Sequence, residues 1–256
     1  MPASANATHE ASNAFLDATY GIGPDRVVCL GDIIGDGADP VACVDLARTF
    51  RMCLCGCREE ALVEGIATGG AVERAFEWTR RQFDPDTDAG NRARREFLSA
   101  LPRKVCRTGP WEFVHGTPRD PTMEYVLSVD TEPVGDQPSP KIREIFSMVD
   151  HVCFIAHSHQ PGLIVQSGSA RWFTPAECDH EVAVGDAASG PKYLINVGSV
   201  GRPADGDPCA CVVVMDEALG TARWHRVPYD VEATIQRMLA VPELAYLKPD
   251  RLRGSL

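Results

Sequence analysis

The side chains that could do chemistry fall in five short segments. Gly31-Asp32-Ile33-Ile34-Gly35-Asp36-Gly37-Ala38-Asp39-Pro40 offers carboxylates among glycines, which let backbone approach closely. Cys55-Gly56-Cys57-Arg58-Glu59-Glu60 offers a thiol and a guanidinium. Val114-His115-Gly116-Thr117-Pro118 offers one imidazole, and Ala156-His157-Ser158-His159 offers two. Ile195-Asn196-Val197-Gly198-Ser199-Val200-Gly201-Arg202-Pro203 completes the set. Carboxylate, imidazole and thiolate are the usual donors to divalent metals. A guanidinium can grip phosphate bidentately but, with a pKa above about 12, cannot act as a general acid near neutrality. Each segment alone is weak, because an Asp after Gly is usually a turn and a lone His is usually a satisfied core or surface group. Their ordered succession along one chain is much stronger.

Each segment begins where an apolar run ends, which is the ligand-binding edge of an α/β sheet. The runs at 26–30, 50–56, 111–115 and 151–156 read as the strands that deliver them. Between these runs the sequence predicts helices over 11–20, 40–48, 59–66, 71–82, 92–100 and 141–148. Asp39-Pro40 is a good helix start, with Asp as cap and Pro in the first turn. A Pro-, Gly- and Asp-rich loop covers 128–140. Strands then dominate, at 162–166, 170–173, 193–196, 209–215 and 222–227, before a closing helix over 231–239 capped by Asp230. No linker divides the chain, so a single domain over residues 1–256 is expected.

The succession Gly-Asp, Gly-x-x-x, His-Gly, His-x-His and Asn-x-Gly-Ser resembles the calcineurin-like metallophosphoesterases, most closely their small bacterial and archaeal phosphodiesterase-like branch. The resemblance runs from about Asp25 to the end of the chain. It implies an α/β fold, a four-layer α/β/β/α sandwich of two mixed sheets, with metals held between the sheet ends. Matched to that pattern, Asp32 takes the bridging carboxylate position, His115 and His157 take second-metal positions, and His159 takes a first-metal position. Gly56 keeps the turn of the Gly-Asn-His-Asp block, but the three residues after it depart from the pattern. Cys57 replaces the metal-binding Asn, Arg58 the His that meets the phosphate, and Glu59 the Asp that orients that His. The opening Asp-x-His block is absent, and Ser4, Asn6 and His9 do not restore it. The first strand is expected to be missing with it, unless a start further upstream supplies both.

The resemblance then implies a divalent metal (manganese, zinc, nickel or iron), at one position rather than two. Asp32, His115 and His157 would hold it, with Cys57 as fourth donor, and Asp32 and His159 alone are too few for a second. Arg58 either contacts the phosphate or pairs with Glu59 or Glu60. The implied activity is metal-dependent hydrolysis of a phosphoester, a phosphodiester or phosphomonoester, impaired or mononuclear. A non-catalytic relative that binds a phosphorylated ligand or a protein partner is the alternative, and a thiol-rich metal or redox protein a third reading.

Composition narrows the partners. The 256 residues carry a net charge of -11, which disfavours sequence-independent nucleic-acid binding and anionic membranes. No apolar run reaches the roughly 20 residues of a membrane span, and the first residues lack a secretory pattern, so a cytoplasmic location is expected. The ten cysteines are then expected as thiols. Cys53 and Cys55, lacking the CxxC spacing of zinc knuckles, are expected to pack as small hydrophobes. Because Arg58 has no transferable proton, an activated aryl phosphodiester is expected to be cleaved faster than an alkyl one. Equal chemistry-limited rates for the two would remove Arg58 as a handicap.

Overall fold

The computed structural model describes residues 2–3, 9–65, 69–135, 137–167, 169–185 and 190–254. Strand β1 (Pro2–Ala3), helix α1 (His9–Ile22), strand β2 (Val28–Cys29), helix α2 (Pro40–Ala47) and strand β3 (Met52–Cys53) form a small parallel unit with sheet order β1-β2-β3. Helices α3 (Cys57–Glu64), α4 (Gly70–Gln82) and α5 (Asn91–Ala100) follow. Strands β4 (Cys106–Thr108) and β5 (Trp111–Phe113), helix α6 (Pro140–Met148), and strands β6 (Val152–Ile155), β7 (Gly162–Ser167) and β8 (Ser169–Phe173) come next. Strand β9 (Glu181–Ala183) precedes β10 (Lys192–Asn196), and β11 (Ala210–Asp216) pairs with β12 (Thr221–Val227). Helices α7 (Val231–Leu239) and α8 (Pro242–Ala245) lie near the end.

The second sheet is mixed, in the order β4-β5-β6-β10-β7-β8, and the third is antiparallel, in the order β11-β12-β9. One core joins all three. Val28, Leu30 and Leu54 of the first sheet's strands and turns meet Phe113, Phe154 and Ile195 of the second and Val213 and Trp224 of the third. Cys29 and Cys53 point the other way, against Cys43 and Val44 of α2 and Leu98 of α5. On the far side, Ile142, Ile145 and Phe146 of α6 cover Cys153, Ile155 and Leu194. The result is the expected α/β/β/α layering.

Two expectations change in detail. The first strand is not missing: Pro2–Ala3 pairs in parallel with Val28–Cys29. The positions just after it, including Ser4 and Asn6, lie outside the described residues. The layer facing the six-stranded sheet is also divided into two ladders. β1 lies beside β11, but two residues are too short to carry a continuous ladder across. Cys53 and Cys55 are buried as expected, and all ten cysteines are free thiols. Among the described residues no helix is long and apolar enough to cross a membrane.

Register is what positions the chemistry. β5, β6 and β10 are parallel neighbours, with Val152 opposite both Trp111 and Tyr193. Their ends therefore release His115, His157 and Asn196 at one edge. Cys29 pairs with Cys53, so Asp32 and Cys57 emerge side by side just beyond β2 and β3. Phe154 is fully buried, with its ring stacked on Phe113 at 5.3 Å. Phe154→Ala is expected to lower the unfolding free energy by about 3–5 kcal/mol. A loss below about 1 kcal/mol in urea unfolding would contradict the central position of this contact.

Candidate metal centre

The turns after β2 and β3 touch through two glycines. A Cβ on Gly31 would stand 2.5 Å from the Gly56 nitrogen, and a Cβ on Gly56 only 2.3 Å from the Asp32 nitrogen. Gly31 also holds a φ of +99°, which a side chain would strain. The buried carboxylate of Glu59 ties the two turns together. It accepts from the backbone N–H of Asp32 and Gly56 at 2.8 Å each, and of Ile34 at 3.1 Å. Burial, and then the Asp32 charge, push the Glu59 carboxyl up to about 7 against the pull of those donors. Asp32, His157 and His159 take left-handed φ values of 51°, 60° and 58°. Such conformations cost on the order of 1–3 kcal/mol each and persist only where their surroundings fix them. For the His157–His159 turn, Asn196 does this: its Nδ2 donates to the Ala156 carbonyl at 3.0 Å and to Ser158 Oγ at 2.9 Å.

The two imidazoles meet in an unusual way. His115 Nδ1 lies 2.7 Å from the Leu30 carbonyl, and His157 Nε2 lies 3.1 Å from the Met123 carbonyl. A carbonyl oxygen only accepts, so each of these nitrogens carries the hydrogen. The other nitrogens, His115 Nε2 and His157 Nδ1, then face each other at 3.0 Å with lone pairs opposed. Burial pushes His115 down, and burial followed by His115 pushes His157 down to about 4. Neutral imidazoles in this arrangement repel unless a cation stands between them.

Two further donors close the group. The donor atoms of Asp32, Cys57, His115 and His157 all lie within 4.8 Å of one another. Asp32 Oδ1 is 3.5 Å from both His115 Nε2 and Cys57 Sγ. Ligands at about 2.0–2.3 Å from a tetrahedral ion stand about 3.3–3.7 Å apart; the two 3.5 Å spacings match this, and the others, between 3.0 and 4.8 Å, would adjust by up to about 1 Å to close on one ion. Burial alone would push the Asp32 carboxyl up, but His115, His159 and the Arg58 guanidinium outweigh it and hold it well below the usual range. Burial and the Asp32 charge push the Cys57 thiol well up, and it donates to Asp32 as a thiol. A metal must displace that proton to gain a thiolate.

The remaining sequence candidates lie close by but outside this group. His159 Nε2 is 3.8 Å from Asp32 Oδ2 and is not one of the four clustered donors. Arg58 pairs with neither Glu59 nor Glu60; its guanidinium reaches buried Asp36 at 3.3 Å, because Glu59 is already committed to backbone N–H groups. Asp36 also binds Arg202. Asp36 and Arg202 lie within the sequence motifs, yet nothing in their spacing shows that two loops 166 residues apart meet. Tyr125, whose ring stacks on His157 at 3.8 Å, is marked by no sequence motif.

No protein-family profile matches the chain. It is 28% identical over 240 residues to an uncharacterised protein of Methanocaldococcus jannaschii, covering 90% of this chain and 87% of that one. A metallophosphoesterase of Sphaerobacter thermophilus is similar in structure, at a TM-score of 0.79 and 27% identity over 100% of this chain and 98% of that one. A hypothetical protein of Pyrococcus horikoshii shares the fold at a TM-score of 0.71 and 16% identity, over 98% and 96% of the two chains. The fold is thus that of the metallophosphoesterases, and the resemblance carried by the motifs stands.

Glu59→Gln would turn an amide NH2 toward backbone donors. It is expected to cost about 2–4 kcal/mol of stability. A change below about 0.5 kcal/mol in denaturant unfolding would show that Glu59 does not hold the two turns together.

Proposed function

We propose that the chain binds one divalent metal ion through Asp32, Cys57, His115 and His157, and that it is a mononuclear relative of the dimetal phosphoesterases acting on a phosphoester. The observation that carries this reading is the pair of imidazole nitrogens facing each other at 3.0 Å, each fixed by a backbone carbonyl on its other side. When bound, such an ion would supply positive charge to polarise a phosphoryl oxygen. The residues of the chain do the rest. Leu30 and Met123 carbonyls set the imidazole tautomers, and Glu59 keeps Asp32 beside Cys57. Arg58 binds the phosphate but can give it no proton, so the leaving group must depart without help from that position.

A second reading rests on donor count. Four protein donors fill a tetrahedral ion and leave no open position, which is the character of a structural site. In that case the protein binds a phosphorylated ligand without cleaving it.

After exposure to manganese, zinc, nickel or iron followed by desalting, elemental analysis is expected to find one tightly held metal per chain. Two tightly held metals would contradict the proposal. His115→Ala is expected to weaken binding by more than the roughly 10–100-fold that loss of an outer partner costs. Full metal content in that variant would sink the assignment. Protein holding one metal but inert toward both mono- and diesters would favour the second reading.

A further inference from the structure

We infer that Arg58 and Arg202, gathered by the buried carboxylate of Asp36, form a two-guanidinium cradle for a terminal phosphate, so that the ligand of this site is a phosphomonoester dianion rather than an internal phosphodiester. The inference rests on the proposed phosphoester reading and names its substrate class. Asp36 is 4% exposed, and its Oδ2 alone accepts from Arg58 Nη2 at 3.3 Å and from Arg202 Nη1 at 2.5 Å. The two donor nitrogens therefore lie within roughly 6 Å of each other, close enough for like charges to repel. Asp36 balances one guanidinium, and the other nearby carboxylate, Asp32, is the one assigned to the metal; with Asp32 so committed, a positive charge is left over.

Arg58 is built into its place. Gly35, at a φ of +116°, leaves the slot for its stem; a Cβ there would stand 3.0 Å from Arg58 Cγ. The Phe76 ring lies 5.6 Å beneath its guanidinium. Its Nε is buried with no hydrogen-bond partner among the described residues. Arg202 arrives from the turn after β10, its backbone N–H donating to Ser199 Oγ at 3.0 Å. The Arg58 and Arg202 side chains stay 20% and 36% exposed, so a ligand can reach them. The cradle adjoins the metal donors, since the Arg58 backbone N–H donates to Asp32 Oδ1 at 3.0 Å and the Arg58 charge is felt at Asp32.

A purely structural ion-pair network would match its charges and satisfy its donors. With Asp32 committed to the metal, this one leaves two guanidinia on a single carboxylate oxygen. A phosphomonoester answers that charge, with about -2 and three terminal oxygens for two planar forks. A diester supplies a single charge and two such oxygens, and its second ester arm must pass the cradle.

The test uses the full chain, metal-free and zinc-loaded, titrated by calorimetry with phenyl phosphate and with diphenyl phosphate. At about pH 8 the monoester is a dianion, its second pKa being near 6. Phenyl phosphate is expected to bind at least about tenfold tighter than diphenyl phosphate. Arg202→Gln is expected to weaken phenyl phosphate about tenfold and diphenyl phosphate less than about threefold, with Arg58→Gln doing the same. Arg202→Lys, which keeps the charge but loses the fork, should fall between; it carries the test if the Gln variant does not fold. Equal binding of the two probes, or Arg202 variants that weaken both equally or neither, would overturn the cradle. Zinc content of the same samples separates the two claims. One zinc with no monoester preference ends the cradle and leaves the metal reading standing. No zinc, manganese, nickel or iron retained, but a monoester preference in the apo protein, ends the metal reading and keeps the cradle.

Discussion

Two neutral imidazoles held nose to nose are the constraint on which this site depends. Each ring is fixed from behind by a backbone carbonyl, Leu30 for His115 and Met123 for His157, so neither can turn its lone pair away. Both are buried, which disfavours protonating either one. The surrounding structure is arranged to tolerate this. Parallel register brings the ends of β5 and β6 to one edge, Asn196 fixes the turn that carries His157, and the Gly31–Gly56 contact sets Asp32 and Cys57 alongside. A divalent ion between the rings would turn the opposed lone pairs into two bonds.

Cys57 and Arg58 change what such a site can do. A thiolate and a carboxylate together cancel the charge of a divalent ion, so the ion alone would offer a bound phosphate little net attraction. Arg58 and Arg202, both paired to Asp36, would supply that attraction instead. A guanidinium is a fixed cation that gives up no proton, so charge recognition and acid catalysis, which a histidine can combine, are separated here. Tyr125, stacked on His157, covers the imidazole pair with a surface that is still half exposed.

Much of this was legible in the sequence because apolar strands end in polar turns, and those turns hold the motifs. Asp32, His115, His157 and Cys57 stand together as the ordered motifs imply. The boundaries of β7, β10 and β12 fall within a residue or so of the apolar runs that mark them. β4 and β9 went unseen because each is three residues long and only partly buried, so no alternation can accumulate. β1 escaped notice because Pro2–Ala3 carries almost no pattern. The partner of Arg58 was not legible, since adjacent Glu59 and Glu60 are the obvious choices and only the fold shows Glu59 occupied by three N–H groups. Left-handed backbone at Asp32, His157 and His159 was not legible either: Asp and His tolerate it better than most side chains, but only a few per cent of non-glycine residues adopt it, so residue type alone does not mark it.

The central claim is that one ion belongs between these four donors. Zinc K-edge X-ray absorption on the loaded full-length chain, beside its Cys57→Ser variant, tests it most directly. The account expects one sulfur at about 2.3 Å and three nitrogen or oxygen ligands at about 2.0–2.1 Å, with the sulfur lost in the variant. A first shell of nitrogen and oxygen alone, or a spectrum unchanged by Cys57→Ser, would contradict it.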